Sequence, residues 1–286
     1  MWFNLQIKFN HKMKKNIELL EPDRIYHIYN RGINGENIFK EERNYRYFLE
    51  KYAKYVKPIA DTFAYCLLKN HFHIAIRTKS EAEIFDFYVK KKTKIFEGPT
   101  NNVVKVLNLH NVESSENKVN NIIDATNNVV KVLNLNNVDS ANNVVKVLNL
   151  HNVENLEIQN IKIPSASHII SLQFSFLFNS YAQSINKANN RTGSLFEERF
   201  RRILVDSDAY FTELIYYIHH NPQKHGFVKD FRAYPHSLYH SHLSKAMTRL
   251  RREEVWDWFG NKDEFEKFHI GNPGLNNLDK FIIEFD

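Results

Sequence analysis

Cysteine is nearly absent: Cys66 is the one thiol in 286 residues. A lone cysteine excludes an internal disulfide framework and any Cys-rich zinc site, and fits a reducing compartment, with the cytoplasm as the default. Nowhere does the chain approach the roughly 18 uncharged apolar residues that a membrane span needs. Its first twenty residues also lack an apolar core and a small-residue cleavage site, so neither export nor membrane insertion is expected. Glycine and proline are scarce, at 8 and 7. With abundant Asn, Lys, Ile, Phe and Tyr, that bias fits AT-rich coding DNA and carries little functional weight. What is present is ordinary for a folded protein: 43% hydrophobic and 25% charged residues, enough to bury a core. A net charge of +6 and a pI near 9.1 favour an anionic partner, although many modestly basic proteins never meet nucleic acid.

One segment repeats itself. ThrAsnAsnValValLysValLeuAsnLeu from Thr100 recurs almost unchanged from Thr126 and again from Ala141, at spacings of 26 and then 15 residues. Solenoid units stack on a regular period, so this irregular triplet reads as recent duplication, and 97–163 as an insertion. Its Val-rich runs have strand propensity. Around it, IleTyrHisIleTyrAsn at 25–30 predicts a strand and ArgGlyIleAsnGly at 31–35 a turn. Tyr45, Phe48, Leu49, Tyr52 and Val56 share one side of a helix predicted over 41–56. Two strand-like runs at 61–68 and 71–78, joined by LysAsn, form a hairpin pattern. A long helix is predicted over 165–189 and a strand over 200–205. Asp206 or Ser207 can cap a further helix, expected to run to about His220 before Pro222. Without the insertion the order is β α β β α β α, an α+β, ferredoxin-like or RRM-like antiparallel sheet with helices packed on it. The expected organisation is an N-terminal extension over 1–23, a domain of 24–96 and 164–245 split by the insertion at 97–163, and a helical tail over 246–286. In that tail Trp256 and Phe259 should pack inward, with Gly260 as a C-cap.

Two constellations carry chemistry. His71 and His73 lie two apart on a strand, so both imidazoles leave the same face and can share a divalent metal. The spacing alone is weak: with 14 histidines in the chain, about 0.7 such pairs arise by chance, and His240 and His242 form another. The second is IleTyrTyrIleHisHisAsnPro at 215–222. A residue four places after a tyrosine sits one turn on, over the same helix face. Tyr217 with Asn221 and Tyr216 with His220 satisfy that equally, and geometry does not choose. A core tyrosine followed by a helix-ending AsnPro would look the same.

Together these segments resemble a known family. AsnHisPheHisIle at 70–74 is similar to the HUH motif, and TyrIleHisHisAsnProGlnLysHisGly at 217–226 to the tyrosine motif of REP-associated tyrosine transposases. TyrHisIleTyrAsnArgGly at 26–32 and GlySerLeuPheGluGluArgPhe at 193–200 resemble the first strand of that family and the segment before its last strand. The resemblance covers roughly 24–96 and 164–245, with all four motifs in order; the repeats depart from the family pattern. It implies Tyr217 as nucleophile, His71 and His73 as metal ligands and Asn221 as a third ligand or phosphate-positioning group. It further implies a Mg²⁺ or Mn²⁺ cofactor and cleavage of single-stranded DNA with hairpin or palindromic repeats through a 5′-phosphotyrosine. The expected setting is the bacterial nucleoid, with the protein as monomer or homodimer. The chemistry agrees: a phenol of pKa about 10 is a poor nucleophile at neutral pH without a cation near the scissile phosphate.

Arg31, Arg191, Arg199, Arg201, Arg202 and Lys224 lie near these motifs in sequence and are candidate DNA contacts, while Tyr29 or Phe72 are candidates to stack on an unpaired base. Three alternatives compete. A hairpin-binding protein that no longer cuts would keep the fold; an RNA-recognition module shares the element order but stacks bases on a glycine-rich strand motif not found here. Relaxases commonly place the tyrosine before the histidines, and rank third.

Overall fold

The computed structural model describes residues 18–96, 164–197 and 199–271, with four short strands between 104 and 162. Most of the expected N-terminal extension, the repeats outside their strands, and the chain after 271 lie outside the described residues.

Four antiparallel strands make the central sheet: β1 (Ile25–Arg31), β2 (Ala60–Leu67), β3 (His71–Thr78) and β8 (Arg201–Val205), in the order β2-β3-β1-β8. That is a ferredoxin-like order, and the fold is the α+β class expected from sequence. The β2–β3 hairpin closes where Leu68 N–H donates to the His71 carbonyl at 2.8 Å. At the end of β1, Gly32 is required by a close approach: a Cβ there would lie 2.1 Å from the Glu36 carbonyl oxygen.

Strand alternation sends Tyr26, Ile28, Phe72, Ile74 and Ile76 to one face, where they form a core with α1 (Glu42–Tyr55) and α3 (Ala166–Ala188). Helix α1 presents Tyr45, Phe48 and Tyr52 to that core, of which Phe48 is worth about 1.5–3 kcal/mol of burial. It starts at a capping box in which Glu41 N–H donates to the Asn44 side-chain oxygen at 2.9 Å. The Ser165 hydroxyl caps α3 by accepting from His168 N–H. The opposite sheet face carries His27, Tyr29, His71 and His73 and is covered by α4 (Asp208–Lys224), whose Phe211, Leu214, Ile215 and Ile218 pack with Phe63, Cys66, Ala75 and Val205.

Several elements differ from expectation. Helix α4, capped by Ser207, does not stop before Pro222 but runs through it to Lys224. Proline removes only the bond its own N–H would have made to the Ile218 carbonyl, a small loss in a last turn. Helix α2 (Glu81–Phe96) is an element the expected order did not include. Within the repeat segment, β4 (Val104–Val106) and β5 (Val130–Val132) pair in parallel at equivalent repeat positions, and β6 (Val144–Asn149) pairs antiparallel with β7 (Glu157–Lys162). Beyond α4, α5 (Tyr239–Leu243), α6 (Arg252–Phe259) and α7 (Lys262–Gly271) pack on its far side. Val255 is the buried residue of α6, Trp256 and Phe259 are half-buried, and Gly260 at φ 95° ends it. Among the described residues no helix is long and apolar enough to cross a membrane.

Candidate active site

The site lies where α4 crosses the polar face of the sheet. Register sets its base: Tyr29 of β1 faces His73 of β3, and Arg31 faces His71. Both imidazoles therefore leave the sheet together, 5.2 Å apart between ring centroids and edge to face. From α4, the Tyr217 ring meets His73 at 5.2 Å, and one turn later Asn221 Oδ1 lies 3.0 Å from His71 Nε2. The structure thus brings Tyr217, Asn221, His71 and His73 together. Tyr216 points elsewhere, because adjacent helix residues diverge by about 100°. Its ring stacks on His220 at 3.8 Å and meets Phe268 and His269 of α7.

Burial governs the electrostatics. It lowers His71 to about 3, with His225 adding to the shift and the Asn221 hydrogen bond opposing it. His73 is held well below the usual imidazole range, again first by burial. Both rings are neutral at pH 7, and each then has one N–H and one lone pair. When His71 Nδ1–H donates to the Asn70 side-chain oxygen at 2.7 Å, its Nε2 lone pair faces Asn221 Oδ1, also a lone pair. The Asn221 amide nitrogen has no partner among the described residues. In that tautomer imidazole nitrogen and amide oxygen lone pairs converge, a set that suits a divalent cation, with the nitrogens favouring Mn²⁺ over Mg²⁺. Among the described residues no group of three or more His, Cys, Asp or Glu is arranged to hold a metal, so an amide and a substrate oxygen would have to complete the shell.

The six candidate DNA contacts divide. Arg31 is at the site through its pairing with His71, Arg201 through its register with Tyr29, and Lys224 holds its ammonium 5.4 Å from the Tyr217 ring centroid. Arg199 is exposed just before β8. Arg191 is not in the site: it pairs with Glu36 at 3.1 Å and donates to the Asn186 side chain and the Ser194 carbonyl. Arg202 faces the opposite side of the sheet, its guanidinium 4.3 Å from the Phe200 ring centroid, and burial lowers its pKa. Tyr29 and Phe72 are 3% and 0% exposed, which removes both as stacking platforms for a base. Sequence reasoning missed two neighbours. His27 Nε2 lies 2.9 Å from His73 Nδ1, and the His225 ring lies 4.8 Å from His71. The signals were an imidazole amid apolar residues on β1, and a histidine four places after Asn221.

The fold and site define an α+β domain presenting a histidine pair, a tyrosine and an asparagine on one sheet face. No protein-family model matches the chain, and no curated protein matches it in sequence. A solved structure of a REP-associated tyrosine transposase bound to a REP hairpin aligns at a TM-score of 0.44 and 10% identity, over 82% of this chain and 87% of that one. A likeness at that level carries no weight for the chemistry of this chain.

Proposed function

We propose that the protein cleaves and rejoins single-stranded DNA through a covalent tyrosine intermediate, with Tyr217 as the nucleophile. The observation that carries this reading is the convergence of Tyr217 and Asn221, one turn apart on α4, with His71 and His73 on β3. Tyr217 attacks the scissile phosphorus, forming a 5′-phosphotyrosine as the bond to the 3′ oxygen breaks. The phenol proton leaves and the 3′ oxygen gains one, giving a free 3′-OH. A 3′-OH can reverse the step and join strands without ATP, since the phosphotyrosine keeps the energy of the broken phosphodiester. His71, His73 and Asn221 would hold the cation, and Mg²⁺ or Mn²⁺ would supply polarisation of the phosphate oxygen. Arg31, Arg201 and Lys224 supply positive charge for the phosphates on either side.

The test is incubation with single-stranded hairpin DNA from the flanks of the protein's own gene plus Mn²⁺, followed by denaturing electrophoresis and mass spectrometry of the trapped adduct. A nucleotide on Tyr217, lost in Tyr217→Phe and kept in Tyr216→Phe, is the expected result. A nucleotide on Tyr216 overturns the assignment. Hairpin binding without any adduct replaces it with a binding protein that does not cut.

A further inference from the structure

His27 has no part in the donor set, yet it is the imidazole most enclosed by it. It is 1% exposed in the middle of β1, between neighbours that face the other side of the sheet. Its ring stacks on Tyr29 at 4.8 Å and on His73 at 5.1 Å, and meets the Tyr217 ring edge-on at 6.2 Å. Its Nε2 lies 2.9 Å from His73 Nδ1, and its own Nδ1 is buried with no partner among the described residues.

We infer that His27 is the positioning residue for His73: it accepts the His73 Nδ1–H and so turns the lone pair of His73 Nε2 toward Tyr217 and His71. This rests on the reading of His73 as a metal-holding side chain. Two neutral imidazoles joined nitrogen to nitrogen share one proton across the contact, so only two arrangements exist. If His27 Nε2–H donates, the His73 proton must sit on Nε2, and that nitrogen can neither hold a cation nor face a phosphate oxygen as a lone pair. If His73 Nδ1–H donates, Nε2 is free and the ring orientation is fixed by a second contact, as buried ligand histidines generally require. The His27 proton then sits on the unpartnered Nδ1, a penalty that occupation of His73 Nε2 must exceed. His27 is thereby coupled to what His73 holds, although it touches no substrate.

The experiment titrates the full chain with Mn²⁺ alone, following free Mn²⁺ by electron paramagnetic resonance, so no turnover is needed. His27→Phe keeps a stacking ring and removes the acceptor; affinity should fall by about 10- to 100-fold. His27→Gln sets an amide oxygen at about the reach of Nε2 and should restore affinity to within a few-fold of the parent. Equal affinity in the Phe variant, or a folded Gln variant as weak as the Phe variant, overturns the inference. Should His27→Phe not fold, ¹⁵N ring spectra of the parent with Mg²⁺ decide: a protonated Nδ1 on His73 supports it and a protonated Nε2 overturns it. His71→Ala and His73→Ala separate the two levels. If both bind Mn²⁺ as the parent does, the metal-holding reading itself fails; if they lose it and His27→Phe does not, only the role of His27 fails.

Discussion

Helix α4 runs between two groups of buried histidines that have little in common except burial. On the sheet side stand His27, His71 and His73; on the other, His219 of α4 meets His242 of α5 and His269 of α7. Desolvation lowers the pKa in both groups, to about 3 for His27, His71, His242 and His269 alike. The first group faces a tyrosine, an amide and a lysine. The second is enclosed by Phe265, Tyr239 and Phe231, and His219 Nδ1 lies 2.9 Å from His269 Nε2. A depressed pKa thus marks enclosure in both groups, and by itself it does not single out a reactive one.

The sharpest way to break this comparison is to remove one imidazole from each group. His71→Ala should reduce adduct formation at least about 100-fold while hairpin affinity changes little, because phosphate contacts supply that affinity separately. His242→Leu should leave the adduct yield per folded molecule unchanged. Equal loss in both, read on the same denaturing gel, would erase the distinction between the clusters.

Acid should expose the packed group. His242 and His269 have folded pKa values depressed below the usual 6.5, so the unfolded chain binds more protons between about pH 3 and 6.5. Their contribution is complete above pH 6.5 and is lost as the pH falls, with a slope approaching about 1.4 kcal/mol per pH unit for each histidine. Arg252 faces His242, and His220 faces His269, and both neighbours oppose protonation further. Denaturant melts from pH 7 to 4.5 should show this decline, and His242→Leu should flatten it by one proton. At pH 7 the loss of the His242 contact with the Phe63 backbone and the gain of an apolar side chain oppose each other, so that variant should change stability by about 1 kcal/mol or less. The smallest effect belongs to Lys224→Ala: a few-fold weaker hairpin binding, with the salt dependence of log K reduced by about 1. An unchanged salt slope would remove Lys224 from the DNA-contacting set.

Much of the fold was legible because its signals are local. Alternation gave β1, β2 and β3, a shared helical side gave α1, and the start of α4 was narrowed to Asp206 or Ser207. Of the site, the His71–His73 and Tyr217–Asn221 spacings were legible, but the choice between Tyr216 and Tyr217 was not readable from spacing. It depends on which face of α4 meets the sheet, which Phe211, Leu214, Ile215 and Ile218 set through packing that spans the chain. His27 was invisible as a partner for the same reason: its contact with His73 crosses 46 residues of sequence. Arg191 and Arg202 were grouped with the site by proximity in sequence, but a turn and the strand's alternation send them away from it.

Tyr217 and the two histidines it faces belong to one chain, joined by a helix anchored on the same sheet. On the proposed reading, a nucleophile supplied this way has a local concentration fixed by the fold and independent of how much protein is in the tube. Strand cleavage should therefore be first order in protein at saturating DNA, with the rate per molecule constant across a dilution series. A rate per molecule that climbs with concentration would mean that a second chain lends its tyrosine.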